Sequence, residues 1–398
     1  MTNNSRRAFV RNAALTAFGI GVAPGWLTRA VYAGAKSNKV LVAIFQRGAM
    51  DGLNAVIPYG EKRYAELRPT LAVPRETALD LDGFFGLHPA LKPLLPLWES
   101  KQLAAIHATG SPDPTRSHFD AQDFMESGTP GRKATRDGWL NRAIGAQPTA
   151  SPIRAISMGG TLARSLRGAN SAVAVNTIAG FKVSENAQAE FMSMYSQSTD
   201  TVLKGTGKDT FEAVKLLESI NKNQPASGVT YPGSRLGQSL QQIATLIKAD
   251  AGLEVAFADT LGWDTHAGQA PTMQNLLGDF AQSLAAFHQD LGARIAGVTV
   301  VSMSEFGRTA KENGNRGTDH GHANVMFALG GDVAGGKVYG QWPGLEVEQL
   351  YERRDLAVTT DFRDVLSSAL QHHAGNPDLA RIFPGHEAQP LHFFRPMQ

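Results

Sequence analysis

The chain has 398 residues and no cysteine, and its 38 Lys and Arg residues nearly balance its 36 Asp and Glu residues. The lack of cysteine excludes disulfides, thiolate metal ligands and cysteine nucleophiles. The length suits one large α/β domain or two smaller ones. The sequence has neither a basic arm nor a nucleic-acid-binding motif, so it gives no support for a nucleic-acid partner.

The first 35 residues are predicted to be a twin-arginine signal peptide. Arg6 and Arg7 precede an apolar segment at 13–27, and small residues suited to cleavage end it at Ala33 and Ala35. Glycines and a proline interrupt the apolar segment, which argues against a permanent membrane span. The alternative is an ordinary N-terminal helix with a chance arginine pair. The pattern predicts export by the twin-arginine translocase, in the folded state, to the periplasm or cell exterior.

The remaining residues, 36–398, are predicted to form a single α/β domain. Without the four arginines of the signal, 38 − 4 = 34 basic residues face 36 acidic ones, so the mature chain is slightly acidic. Residues 39–45 form a continuous apolar run, which predicts a buried strand. Arg47 and Asp51 follow it among glycines, and Asp51 is either a functional carboxylate or a turn residue before Gly52.

A second predicted strand, at 103–107, leads into a Pro-rich loop that carries Arg116, Ser117 and His118. A helix is predicted to follow as far as residue 126, with Ser117 or Asp120 as its cap. Ser117 at a helix N-terminus is a candidate nucleophile or substrate-binding residue, because backbone N–H groups there favour anions. The alternative is that it only caps the helix.

Further strands are predicted at 153–158 and 253–258, and the second ends near Asp264 and His266. Between them, the polar stretch 181–232 is predicted to be an insertion or cap with one helix at 209–221. Amphipathic helices are predicted at 234–250 and 271–291.

The stretch 297–322 contains the largest group of candidate catalytic and metal-binding side chains. It begins as a β-branched run at 298–301, which predicts a buried strand, and then turns polar. A further strand at 323–329 and a helix at 361–372 follow. Reactive side chains occupy the end of the strand and the Gly/Asn-rich loop after it: Glu305, Arg308, Asp319, His320 and His322.

These strand ends are expected to meet, because the carboxyl ends of parallel strands share one edge of a sheet. Carboxylates and imidazoles without sulfur suit Zn²⁺, Mn²⁺, Fe²⁺ or a mixed pair, and we expect one or two ions of Zn²⁺ or Mn²⁺. Arg47 and Arg308 could contact a phosphate or sulfate group. The pattern favours metal binding over a purely structural hydrogen-bond network.

Five segments together resemble a large uncharacterised bacterial family of twin-arginine-exported proteins, known only as a domain of unknown function. They are residues 46–54, 115–122, 263–266, 304–309 and 319–322. That family is distantly similar to the alkaline phosphatase and arylsulfatase superfamily. The resemblance implies an alkaline-phosphatase-like α/β fold, with a doubly wound, mostly parallel sheet, helices on both faces and metals at its carboxyl edge.

The resemblance also implies roles for single residues. Ser117 falls near the superfamily nucleophile, and the implied metal ligands are Asp51, Asp264, His266, Glu305 and either His320 or His322. Phe306 departs from the pattern, because a histidine is expected after the carboxylate. Pro112 stands where a formylglycine sulfatase needs Cys or Ser, which argues against that activity.

Three functions remain open from the sequence. The first is an exported metal-dependent hydrolase of phosphate or related esters, with Ser117, His118 and Arg308 as catalytic residues and Arg47 and Arg116 binding substrate. Its predicted metal ligands are Asp51, Asp264, His266, Glu305, Asp319, His320 and His322. The second is a non-catalytic metal-binding envelope or surface-assembly protein on the same fold. The third is a Ser-His-Asp hydrolase, which the lack of a Gly-x-Ser-x-Gly motif around Ser117 disfavours.

Overall fold

A computed structural model describes residues 39–145, 151–180, 201–223, 227–375 and 377–396. The predicted signal peptide, 1–35, lies outside the described residues, as do residues 181–200 and 224–226 of the predicted insertion. The predicted helix of that insertion extends over Thr201–Asn223. No helix among the described residues has the length and apolar character that crossing a membrane requires.

A mixed sheet forms the centre of the described fold. Its strands, in chain order, are β1 (Val40–Gln46), β5 (Leu103–Gly110), β6 (Ala155–Met158), β7 (Val173–Val175), β8 (Val255–Thr260), β9 (Val298–Met303), β10 (Asn324–Gly330), β11 (Lys337–Tyr339) and β12 (Thr360–Asp361). Their spatial order is β11-β5-β10-β9-β1-β8-β6-β7, and β12 also pairs with β5. A small antiparallel sheet, β2 (Val56–Ile57), β4 (Gly86–Leu87) and β3 (Leu79–Asp80), precedes β5 in the chain.

Strand direction determines which loops share an edge. Within the described sheet, β10 is antiparallel to both of its neighbours, β5 and β9, while the other pairings are parallel. Strand β10 therefore begins where its neighbours end. The residues that precede β10 consequently lie at the carboxyl edge, together with the residues that follow β1, β5, β8 and β9.

Helices cover both faces of the sheet, which confirms the predicted doubly wound, mostly parallel α/β class. Their bounds are α1 (Gly52–Ala55), α2 (Lys62–Leu67), α3 (Leu95–Glu99), α4 (His118–Ser127), α5 (Trp139–Ile144), α6 (Thr201–Asn223), α7 (Arg235–Lys248), α8 (Gln269–Leu291), α9 (Phe362–Ala374) and α10 (Leu379–Ile382). Short 3₁₀ helices occupy Pro89–Leu94, Arg164–Leu166 and Gly292–Gly297.

The side chains of β1 alternate between two cores. Val40, Val42 and Ile44 pack with residues of α7 and α8, while Leu41 and Phe45 pack with residues of α5 and α9. Because successive strand residues point to opposite faces, a run that is apolar at every position must be covered on both. This continuous apolar pattern made β1 predictable, and it places β1 at the middle of the sheet.

Candidate metal centre

Five adjacent strands supply the candidate site. In the order β5-β10-β9-β1-β8, the loops at their shared edge carry His118, His320, Glu305, Asp51 and Asp264. The crevice outside the carboxyl ends of strands is the usual ligand site of doubly wound sheets. The fold therefore brings together residues that are up to 320 − 51 = 269 positions apart in sequence.

Three side chains converge closely enough to hold one metal ion. One ligand atom each from His118, Asp264 and His320 lies within 4.8 Å of the other two. His118 Nε2 is 3.4 Å from Asp264 Oδ2, and His320 Nε2 is 3.2 Å from Asp264 Oδ1. Imidazole nitrogen and carboxylate oxygen are ligands that Zn²⁺ and similar divalent ions accept.

In His118 and His320, the Nδ1 atom makes a contact that orients the ring, so that Nε2 faces the Asp264 carboxylate. His118 Nδ1 lies 2.7 Å from Glu305 Oε1, and His320 Nδ1 lies 2.8 Å from the Arg116 carbonyl oxygen. A carbonyl only accepts hydrogen bonds, so Nδ1 of His320 carries the proton. In the neutral ring, Nε2 then presents a lone pair to the Asp264 carboxylate. This is the orientation that metal-binding histidines adopt when a second oxygen holds their outer nitrogen.

The Asp264 carboxylate is held in its ionised form. Burial opposes ionisation, but the hydrogen bond and charge of Arg308, together with His266 and His118, lower the pKa of Asp264 to about 2. Burial lowers the pKa of His320, whereas the hydrogen bond to Glu305 raises that of His118. A cation that binds His118 Nε2 therefore competes with a proton.

Arg308 positions the Asp264 carboxylate from the buried side of the site. Its side chain has no exposed surface, and its Nη2 donates to Asp264 Oδ1 at 2.7 Å. The same guanidinium donates to four backbone carbonyls, those of Gly48, Ala49, Trp263 and Thr318. Arg308 thus ties the loops after β1 and β8 to the loop before β10. Its predicted catalytic role stays a prediction, and its observed contacts are those of a positioning residue.

The loop between β9 and β10 folds back on itself. The N–H of Gly307 donates to the His322 carbonyl at 2.9 Å, and the N–H of Gly321 donates to the Gly307 carbonyl at 2.8 Å. A Cβ atom at Gly307 would lie 1.8 Å from the Ala323 carbonyl oxygen. Glycine is therefore required at this close approach, which places His320 beside Arg308.

Glu305 contacts the site through His118. It is 1 % exposed, and its Oε1 accepts from His118 Nδ1, Gln122 Nε2 and the N–H of Gly48. Its Oε2 lies 3.1 Å from Ser304 Oγ, whose single proton also has the Gln46 carbonyl oxygen at 2.6 Å as an acceptor. Burial opposes its ionisation, but hydrogen bonds from His118 and Gln122 lower its pKa overall. Its Oε1 is already engaged by three donors, and Glu305 is not a member of the converging trio.

His266 and Asp319 lie beside the trio. His266 Nε2 is 3.0 Å from Asp264 Oδ1 and from His320 Nε2, and its Nδ1 is 3.2 Å from Asp319 Oδ1. His322, the last predicted ligand of this loop, instead stacks on Tyr351 with ring centroids 4.5 Å apart. Asp51 is also not part of the trio, and its side chain pairs with Arg68.

The remaining predicted residues lie around the trio. Ser117 is the N-cap residue of α4 and is exposed, but its side chain makes no capping hydrogen bond to the described residues. Arg116 donates to Asp355 and Glu352 and keeps 26 % of its side chain exposed. Arg47 is more enclosed, since Glu126, Asp259 and Gln122 engage its three guanidinium nitrogens.

Sequence reasoning missed several polar residues that hold these side chains. Gln122 supports Glu305, and Asp355 is a fully buried carboxylate that pairs with Arg116 and Arg354. Gln122 is four positions after His118, a spacing that places both on one face of α4 and could have indicated it. Neither Asp355 nor Arg68, the partner of Asp51, lies in a motif or a periodic segment that would have indicated it.

Solved structures give distant similarities. The C-terminal periplasmic domain of EptC from Escherichia coli, in complex with Zn, is 10% identical over 74% of this chain and 73% of its own, with a TM-score of 0.35. The alkaline phosphatase of the Antarctic bacterium TAB5 is 12% identical over 74% and 92%, with a TM-score of 0.31.

A sulfatase from Pseudoalteromonas sp., PsFucS1, is 10% identical over 88% of this chain and 71% of its own, with a TM-score of 0.39. These scores are too low to support an argument about function. No curated protein matches the chain. Residues 84–381 match a protein family, and the chain therefore belongs to the family described as "Protein of unknown function (DUF1501)".

Proposed function

We propose that this protein is an exported, metal-dependent hydrolase of phosphate or related esters. Its divalent cation, Zn²⁺ or Mn²⁺, is held by His118, Asp264 and His320. The observation that carries the proposal is that two hydrogen-bond acceptors lie close together. The proton of the His320 ring is on Nδ1, so Nε2 is an acceptor, and it lies 3.2 Å from the ionised Asp264 carboxylate. Two acceptors at this distance repel each other unless a proton or a metal cation lies between them, and burial lowers the pKa of His320, which disfavours the proton.

The fixed surroundings of the trio support this choice. Glu305 holds His118, the Arg116 carbonyl holds His320, and Arg308 holds Asp264. Ligands that are oriented before binding lose little freedom when the ion arrives. We assign Glu305 and Arg308 to this positioning role.

A divalent cation at the trio would polarise a bound ester and stabilise the negative charge that develops on its oxygens. Ser117 is the candidate nucleophile, because its exposed hydroxyl lies next to His118 and makes no cap bond to the described residues. The other candidate nucleophile is a water molecule. Arg116 is better placed than Arg47 to meet an anionic substrate, because it is more exposed and its carbonyl contacts His320.

Export supports the choice of an extracellular or periplasmic ester as substrate. The twin arginine at Arg6 and Arg7 and the apolar stretch after it motivate this part of the proposal. Fusion of residues 1–35 to a reporter that is active only after folded export tests it. Replacing both arginines with lysine should stop export, and unchanged export would contradict the assignment.

The main test is metal analysis of the purified protein, followed by a screen of phosphate monoesters, phosphodiesters and sulfate esters. Asp264→Asn should lose the ion and turnover, whereas Asp279→Asn, on helix α8, should retain both. Ser117→Ala should abolish turnover if Ser117 is the nucleophile and only reduce it if water is.

Protein without bound metal or turnover would refute the proposal. A bound ion without turnover on any ester would favour the non-catalytic metal-binding alternative. Turnover that survives complete chelation would favour a Ser-His-Asp mechanism instead.

A further inference from the structure

The Asp51 carboxylate follows the central strand β1, and the sequence predicted it to be a metal ligand. It is completely buried, and its Oδ2 lies 2.6 Å from Arg68 Nη1. The Gln269 side-chain amide also donates to Oδ2. Both neighbours of this oxygen are hydrogen-bond donors, which cannot act as metal ligands.

Arg68 is as deeply buried as Asp51 and is fixed by further bonds. Its Nη1 also donates to Asn54 Oδ1 at 2.5 Å, its Nε donates to the Ala310 carbonyl at 3.0 Å, and its Nη2 donates to the Thr309 carbonyl at 2.9 Å. The guanidinium charge is permanent, and removing one partner of a buried ion pair leaves the other charge uncompensated. A cation at Asp51 Oδ2 would therefore have to displace this arginine.

Gln269 occupies the Asp51 Oδ2 atom together with Arg68. Its Oε1 accepts from the hydroxyls of Thr265 and Thr318, which orients its amide nitrogen toward Asp51. The remaining oxygen, Asp51 Oδ1, is shielded from solvent and has no hydrogen-bond partner among the described residues. A single free oxygen is not enough to bind a divalent cation, which needs several ligands.

We propose that the centre binds one divalent cation and that Arg68 supplies, at Asp51, the positive charge that a second ion would otherwise bring. This inference rests on the proposed function, because it takes the His118, Asp264 and His320 trio as the binding site. The ligand atoms of that trio lie close enough together to hold one ion, and Asp51 is outside it. Arg68 also positions the site, since it binds the two residues that directly follow Arg308.

The test is the number of ions per chain. Wild-type protein, Asp51→Asn and Asp264→Asn are each incubated with excess Zn²⁺, freed of unbound metal by gel filtration, and analysed for zinc and protein. We expect one ion per chain in the wild type, one in Asp51→Asn and none in Asp264→Asn. Circular dichroism on the same samples shows that each variant is folded, and we expect a lower Tm for Asp51→Asn because Arg68 loses its partner.

Two ions per chain in the wild type, one of them lost in Asp51→Asn, would overturn this inference and leave the proposed function intact. The wild-type measurement alone decides the number of ions if Asp51→Asn does not fold. A wild type that binds no zinc would instead refute the proposed metal centre, and this inference with it. The two failures are therefore distinguishable.

Discussion

Replacing Glu305 with glutamine separates a positioning role from direct metal ligation. Glutamine is nearly the same size, so its side-chain oxygen can still accept from His118 Nδ1, Gln122 and the N–H of Gly48. What is lost is the negative charge opposite His118. A hydrogen bond to a charged partner contributes about 1 kcal/mol more than a neutral one. We therefore expect Zn²⁺ affinity to fall about fivefold, since about 1.4 kcal/mol corresponds to one factor of ten.

Titration calorimetry with Zn²⁺ at pH 7 measures this change. Glu312→Gln is the matched control, because Glu312 also accepts backbone N–H bonds on the same loop, from Thr70 and Leu71, but contacts no member of the trio. The control should keep wild-type affinity. If Glu305→Gln binds as tightly as the wild type, the negative charge of Glu305 does not strengthen binding through His118, and the charge argument is wrong. A loss of binding altogether would instead identify Glu305 as a ligand, as the sequence suggested.

Two further predictions concern stability. Burial lowers the pKa of His107 to about 4, and its neutral ring is fixed because Nδ1 accepts from the Ala108 N–H while Nε2 donates to the Val56 carbonyl. The unfolded chain binds this proton near pH 6.5, so His107 should lower the free energy of unfolding by about 3 kcal/mol between pH 6.5 and pH 4, with no effect above that window. Urea unfolding across this range should show a smaller decline in His107→Gln, and an identical decline would contradict the assignment. Gly307→Ala should lower the free energy of unfolding by about 1–3 kcal/mol and weaken Zn²⁺ binding, because its Cβ would clash with a backbone carbonyl. Gly314→Ala is the control and should change neither quantity, because no atom lies within 4 Å of the added Cβ. Equal effects of the two substitutions would refute the close-approach argument.

The elements were predictable where the hydrophobic pattern was strong. The apolar run before Arg47 indicated β1, and the stripe on α8 indicated a long helix against the sheet. The direction of β10 was not predictable, because residues 325–329 are apolar at every position whichever way the strand runs. It depends on the close contact between Gly307 and His322, a packing relation that no sequence period encodes.

The candidate site was predictable as a location rather than as a set of contacts. Polar residues after buried strands indicated the carboxyl edge, and His118, Asp264 and His320 do meet there. The role of each carboxylate depends on the group that faces it, and that group comes from a distant part of the chain. Asp51 faces a guanidinium, Glu305 faces Nδ1 of one histidine, and Asp264 faces Nε2 of three histidines.

These three carboxylates are chemically similar and occupy similar positions at strand ends, yet their environments differ in charge. Asp51 already has a permanent cation beside it, and Glu305 is buried with three donors on its Oε1. Asp264 has a guanidinium on one side and imidazole nitrogens on the other, and its side chain is 45% exposed. Because a dissolved ion can reach a carboxylate only where solvent can, Asp264 is the member of this group at which a metal can enter and bind. The two buried carboxylates then set the geometry of the loops around it.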